Sequence, residues 1–95
     1  MPRHIHVELE QLKEWKLNRD KKSIQITFKM KSFNEALELI GVAGKLAERH
    51  QHHPDIYLIS YRYLTFVLTT HAIKGLSMKD FILASKISQI SKSLG

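Results

Sequence analysis

Between residues 24 and 47 the apolar side chains change period once, and that change dictates a strand followed directly by a helix. Ile24, Ile26, Phe28 and Met30 alternate with Gln25, Thr27 and Lys29, the two-residue period of a half-buried strand. Ser32-Phe33-Asn34-Glu35 then has the spacing of a capping box, in which serine and glutamate side chains satisfy backbone donors at a helix start. From Phe33 onward, Leu37, Ile40, Ala43, Leu46 and Ala47 recur at helical intervals. The small residues Gly41, Ala43, Gly44 and Ala47 predict close approach of this helix to a sheet. Pro54 cannot continue the pattern, so the helix is expected to end around His50.

The flanking segments extend the same alternation of elements. Leu9, Leu12 and Trp15 predict a short amphipathic helix over Val7 to Trp15, and Lys16 to Asp20 a short strand, with a polar turn at 18–22. Asp55 to Ser60 and Tyr61 to Thr70 are rich in residues that suit a pleated sheet. The second of these has large side chains on both faces, which predicts helices over one face and a partner subunit over the other. Gly75 marks a turn. Ser77-Met78-Lys79-Asp80 offers a second capping pattern, and Phe81, Ala84, Ile87 and Ile90 mark a closing helix. This order predicts an α+β domain, an antiparallel sheet with helices packed on one face.

At 95 residues the chain has room for one hydrophobic core, so residues 1–95 are expected to form a single domain. It has no cysteine to staple a small core, which makes association with a second copy an expected source of buried surface. The absence of cysteine also excludes disulfides and thiolate zinc sites. No run approaches the roughly twenty apolar residues of a membrane span; neither secretion nor membrane insertion is expected, and the cytoplasm is the expected location. Net charge is +6. The lysines are dispersed and no nucleic-acid-binding motif accompanies them, so no direct contact with nucleic acid is expected.

Four of the six histidines lie between His50 and His71. The plainest reading of His50-Gln51-His52-His53-Pro54 is a solvated helix end, where imidazolium complements the helix dipole. A metal site is a second reading, although no HExxH pattern or matching ligand set is present. Acid/base catalysis is a third. Glu48 stands four residues before His52 and would lie beside it if the helix persisted, where a carboxylate orients an imidazole. His71 follows the long strand at a suitable place to present a side chain to a cleft. Asp80, taken alone, is a first-turn carboxylate favoured by the dipole.

Read together, Glu48, His52-His53-Pro54, Tyr61, His71 and Asp80 resemble the active-site signature of the pterin-4a-carbinolamine dehydratases. Trp15, the Phe28 strand, Ser32 to Ala36 and Gly75 to Asp80 resemble further landmarks of that family, so the resemblance covers nearly the whole chain. Glu14 stands where glycine is common, Ile56 where an aromatic often follows the proline, and the segment from His53 to His71 is one residue longer.

The resemblance implies a four-stranded antiparallel sheet with three helices on one side. It also implies a hydro-lyase that converts a 4a-hydroxytetrahydropterin to quinonoid dihydropterin and water. On that basis His52 and His71 are the expected acid/base groups, His53 holds the pterin, and Asp80 assists by hydrogen bonding or orientation. Glu48 supports His52 and contributes with Pro54 to the substrate site. Tyr61 is expected to pack the sheet. Histidine suits both proton transfers because its ordinary pKa is about 6.5. No metal or organic cofactor is implied, since the pterin is the substrate. The expected partners are a second copy, as homodimer or homotetramer, and a functional link to an aromatic amino acid hydroxylase. Animal members of the family also act as dimerisation partners of a homeodomain transcription factor, which leaves a non-catalytic assembly module as the alternative.

Overall fold

The computed structural model describes residues 14–94. It contains strands β1 (Lys16–Leu17), β2 (Ile24–Lys29), β3 (Asp55–Ile59) and β4 (Tyr63–Leu68), and helices α1 (Phe33–His50) and α2 (Met78–Leu94). The strands make one antiparallel sheet in the order β1-β2-β4-β3. Two α-helices are therefore described where three were expected; the helix expected over Val7 to Trp15 lies almost wholly outside the described residues. Among the described residues no helix is long and apolar enough to cross a membrane.

The alternation in β2 does what it predicts: Ile24 and Ile26 are buried and Phe28 packs against the core, while Thr27 and Lys29 are exposed. Ile24, Ile26 and Phe28 stand opposite Leu68, Phe66 and Leu64 of β4. The Phe28 and Phe66 rings meet edge to face, 6.2 Å between centroids. Phe66, Leu64, Leu68, Leu39, Leu83 and Ile87 have no solvent exposure, and burying each such side chain favours folding by about 1.5–3 kcal/mol. Trp15, in the loop before β1, closes one end of this core and donates its indole N–H to Ser88 Oγ at 2.8 Å.

Ser32 caps α1 as its spacing requires, its Oγ accepting from the Glu35 N–H at 3.1 Å. The face that α1 buries is not the expected one. Ala36, Leu39, Ala43 and Ala47 are buried, whereas Phe33 and Leu37 are 49% and 46% exposed. The helix carries apolar residues on two sides, and periodicity alone does not say which faces inward. Ala43 and Ala47 lie against the core as expected, but Gly41 and Gly44 do not: a Cβ added at either would meet nothing within 4 Å among the described residues.

The strand expected over Tyr61 to Thr70 is shorter at both ends, running from Tyr63 to Leu68. Ser60 and Tyr61 both have left-handed backbone, φ 49° and 59°, as the central residues of a tight turn that the Arg62 N–H closes on the Ile59 carbonyl at 3.3 Å. Tyr61 consequently leaves the sheet and is exposed, with the Arg62 guanidinium 5.5 Å over its ring. The outer face of the sheet, away from the helices, presents Tyr57, Tyr63, Thr27 and Thr65, the two threonine hydroxyls 2.7 Å apart.

Candidate active site

The end of α1 decides where the adjacent histidines go. Gln51 takes left-handed backbone at φ 51°, ψ 39°, at a cost of about 1 kcal/mol for a residue other than glycine. That bend lets the His52 N–H reach the Ala47 carbonyl at 3.1 Å and the Gln51 N–H the Glu48 carbonyl at 3.2 Å. The Gln51 amide adds a second bond to the Glu48 carbonyl at 2.9 Å. These contacts satisfy otherwise orphaned helix-end carbonyls. Pro54 then restricts His53 to extended backbone, and successive side chains of an extended chain point to opposite sides.

The two rings diverge accordingly. His52 turns inward, its Nε2 lying 2.6 Å from Asp80 Oδ1, with side-chain exposures of 11% and 0%. His53 turns outward, its Nε2 2.8 Å from Glu48 Oε2, both groups well exposed. The expected support of His52 by Glu48 is therefore not made. Four-residue spacing places two side chains together only on continuous helix, and α1 stops at His50.

Asp80 is more than a first-turn carboxylate. Its Oδ1 meets His52, while its Oδ2 accepts from the Ser77 N–H at 3.0 Å and from Thr70 Oγ1 at 2.7 Å. The Ser77–Asp80 capping pattern is thus half formed: the carboxylate caps the chain entering α2, but Ser77 Oγ pairs with Thr70 Oγ1 at 2.7 Å. Three donors around a fully buried carboxylate offset its desolvation. Spacing identified Asp80 as a cap; it gave no sign of Thr70.

His71 begins a single turn of 3-10 helix, His71–Ile73, where the sequence predicts a turn at Gly75. The left-handed residue there is Lys74, φ 52°. His71 is exposed and lines a cleft of ≈ 390 Å³ with Lys22, Asp55, Val67, Thr69 and Lys74 among others. Asp55 pairs with Val67 across β3 and β4, so the chain leaving Pro54 and the chain approaching Thr70 and His71 share one end of the sheet. The lining of this cleft does not include His52, His53 or Asp80. The structure thus joins His52 to Asp80 and His53 to Glu48, and sets His71 at a cleft that none of these four lines. Among the described residues no three His, Asp or Glu side chains converge as a metal site.

The chain is similar to known proteins along most of its length. A relative from Picosynechococcus sp. (strain ATCC 27264 / PCC 7002 / PR-6), provisionally named a pterin-4-alpha-carbinolamine dehydratase, is 43% identical over 86 residues, 90% of each chain. Pterin-4-alpha-carbinolamine dehydratase 2, mitochondrial, of Arabidopsis thaliana is 33% identical over 84 residues, 86% of this chain and 45% of that one. Among solved structures, a transcriptional coactivator/pterin dehydratase from Brucella melitensis superposes with a TM-score of 0.81 at 26% identity, covering 96% of this chain and 97% of the other. A pterin dehydratase-like RuBisCO assembly factor of the alpha-carboxysome shares the fold at 13% identity, with a TM-score of 0.70 over 85% of this chain and 93% of that one. Residues 2–90 match the family model described as pterin 4 alpha carbinolamine dehydratase, and the chain belongs to that family.

Proposed function

We propose that this chain removes water from a 4a-hydroxytetrahydropterin, with His52 and His71 as its acid/base pair. The observation that carries the reading is the His52–Asp80 contact. A carboxylate accepting from Nε2 holds the imidazole hydrogen there, so the neutral ring presents the lone pair of Nδ1. Dehydration breaks the C4a–O bond as the leaving oxygen gains a proton. A ring nitrogen loses a proton, and its electron pair completes the C=N bond. The proton count balances, but one donor and one acceptor must flank the ring.

In this reading His71, on the turn that follows β4, supplies the second group. His53, held by Glu48, contacts the bound pterin beside Pro54. No metal or organic cofactor takes part, because the pterin is the substrate. A pterin-dependent aromatic amino acid hydroxylase would supply that substrate, and the reaction would run in the cytoplasm.

Conversion of freshly generated 4a-hydroxytetrahydropterin, followed by absorbance, tests the proposal. The wild-type protein is expected to accelerate it above the spontaneous rate, and folded His52→Ala and His71→Ala variants to lose most of that acceleration. No acceleration by wild type would overturn the enzymatic reading.

One observation favours assembly as a second property of the chain. Phe33, Leu37 and Val42 are exposed on α1 beside Gly41 and Gly44, over which space is open. A helix-interior glycine costs about 1 kcal/mol relative to alanine, and nothing among the described residues requires either one. A second copy of α1 lying antiparallel would approach closely over the glycines. Glu35 and Glu38 near one end would then face Lys45 and Arg49 near the other, as a two-fold contact between identical surfaces demands.

A further inference from the structure

Thr70 occupies a junction that neither the acid/base pair nor the sheet explains. Its Oγ1 donates to Asp80 Oδ2 at 2.7 Å and lies 2.7 Å from Ser77 Oγ. A hydroxyl has one hydrogen to give. With that hydrogen committed to Asp80, the Ser77 hydroxyl must donate to Thr70, so the bonds run in one direction from Ser77 through Thr70 to the carboxylate that meets His52.

The backbone of the same residue holds the other candidate histidine. The Thr70 N–H donates to the Gly75 carbonyl at 2.8 Å, and the Thr70 carbonyl accepts from Ile73 and Gly75 at 3.2 and 3.4 Å. These bonds close the turn on which His71 is the first residue.

We propose that Thr70 is a positioning residue for both histidines, its hydroxyl fixing the Asp80–His52 pair and its backbone fixing the turn that presents His71. This rests on the reading of His52 and His71 as the acid/base pair, and it adds that the two are aligned by one residue rather than independently. The side-chain half of the role is separable from the backbone half. Thr70→Val keeps the branched shape and every backbone bond, and removes only the hydroxyl. Asp80 Oδ2 is then left with the Ser77 N–H alone, and the carboxylate is free to swing away from His52. Thr70→Ser restores the hydroxyl without the methyl.

The test pairs an NMR measurement on the free protein with kinetics. The His52 Nε2–H resonance, assigned by its disappearance in His52→Gln, is expected downfield in wild type and Thr70→Ser, and shifted or lost to solvent exchange in Thr70→Val. In turnover, Thr70→Val is expected to lower kcat about 10- to 100-fold, as loss of an orienting partner commonly does, with KM unchanged and Thr70→Ser largely rescued. An unmoved His52 resonance in folded Thr70→Val overturns the proposal. So does a variant whose only defect is in KM. Because the NMR arm needs no turnover, a wild-type protein without dehydratase activity would sink the enzymatic reading and still leave the Thr70 prediction decided. If Thr70→Val does not fold, Ser77→Ala is read in the same way: it removes the donor to Thr70, a displaced His52 resonance supports the chain of bonds, and an unmoved one overturns it.

Discussion

The Nε2 of His52 and Oδ1 of Asp80 lie 2.6 Å apart although 28 residues separate them in sequence. The carboxylate is fully buried and the ring is 11% exposed, so the contact is made in a poorly screened setting and one edge of the ring can still reach a ligand. A carboxylate in this position specifies which ring nitrogen carries the hydrogen, and the proposed chemistry depends on that choice.

Asp80→Asn offers an amide donor where His52 now finds an acceptor, which favours the other tautomer with hydrogen on Nδ1. The expected consequence is a loss in kcat on the order of 10³-fold or more with the fold retained. Steady-state kinetics beside a circular dichroism spectrum measure this; a folded variant with near wild-type kcat would show that tautomer selection by Asp80 does not matter.

The outward pair should behave differently. His53 and Glu48 are exposed at 60% and 72%, and exposed ion pairs contribute little. Glu48→Gln is expected to change kcat/KM by less than about five-fold, whereas His53→Ala raises KM more than it lowers kcat. Substrate-concentration series on both variants decide the point, and a Glu48→Gln defect as large as that of Asp80→Asn would refute the division between the two pairs.

Gly41→Ala separates the chain from its assembly. Among the described residues the new Cβ meets nothing within 4 Å, and it should stabilise the helix by about 1 kcal/mol. Between chains it would hold two helices apart. Sedimentation velocity should therefore show weaker association, and Leu37→Lys should abolish it. Unchanged association in both variants would remove α1 from the interface.

The bond from Trp15 to Ser88 is testable through the lone tryptophan. Ser88→Ala leaves a buried indole N–H without its acceptor, which costs about 1–3 kcal/mol. Urea unfolding followed by Trp15 fluorescence should show the midpoint lowered at constant slope.

Much of the fold was legible because it rests on local signals. The alternation in β2, the Ser32 cap and the stop after His50 each depend on a few adjacent residues, and each stands where its spacing placed it. The hairpin at Ser60-Tyr61 was not legible, since neither residue is one of the glycines or asparagines that announce left-handed turns. The inward face of α1 was misread because Phe33 and Leu37 form an apolar stripe of their own. At the site, family resemblance singled out His52, His53, His71, Asp80, Glu48 and Pro54, but the pairing among them follows from one left-handed residue, Gln51. Thr70 gave no signal, because a hydroxyl partner looks the same in sequence as any loop threonine, and Ser77 was legible only as a helix cap.

The extended stretch His52-His53-Pro54 has a parity. Inward and outward positions alternate residue by residue between Gln51 and β3, so one inserted or deleted residue there would hand the buried carboxylate to the neighbouring ring and turn His52 out to solvent. The two histidines are alike in chemistry yet not exchangeable in place. Length variation should be tolerated in the Asn18–Lys22 turn and selected against in these three positions, whatever residues a lengthened version contained.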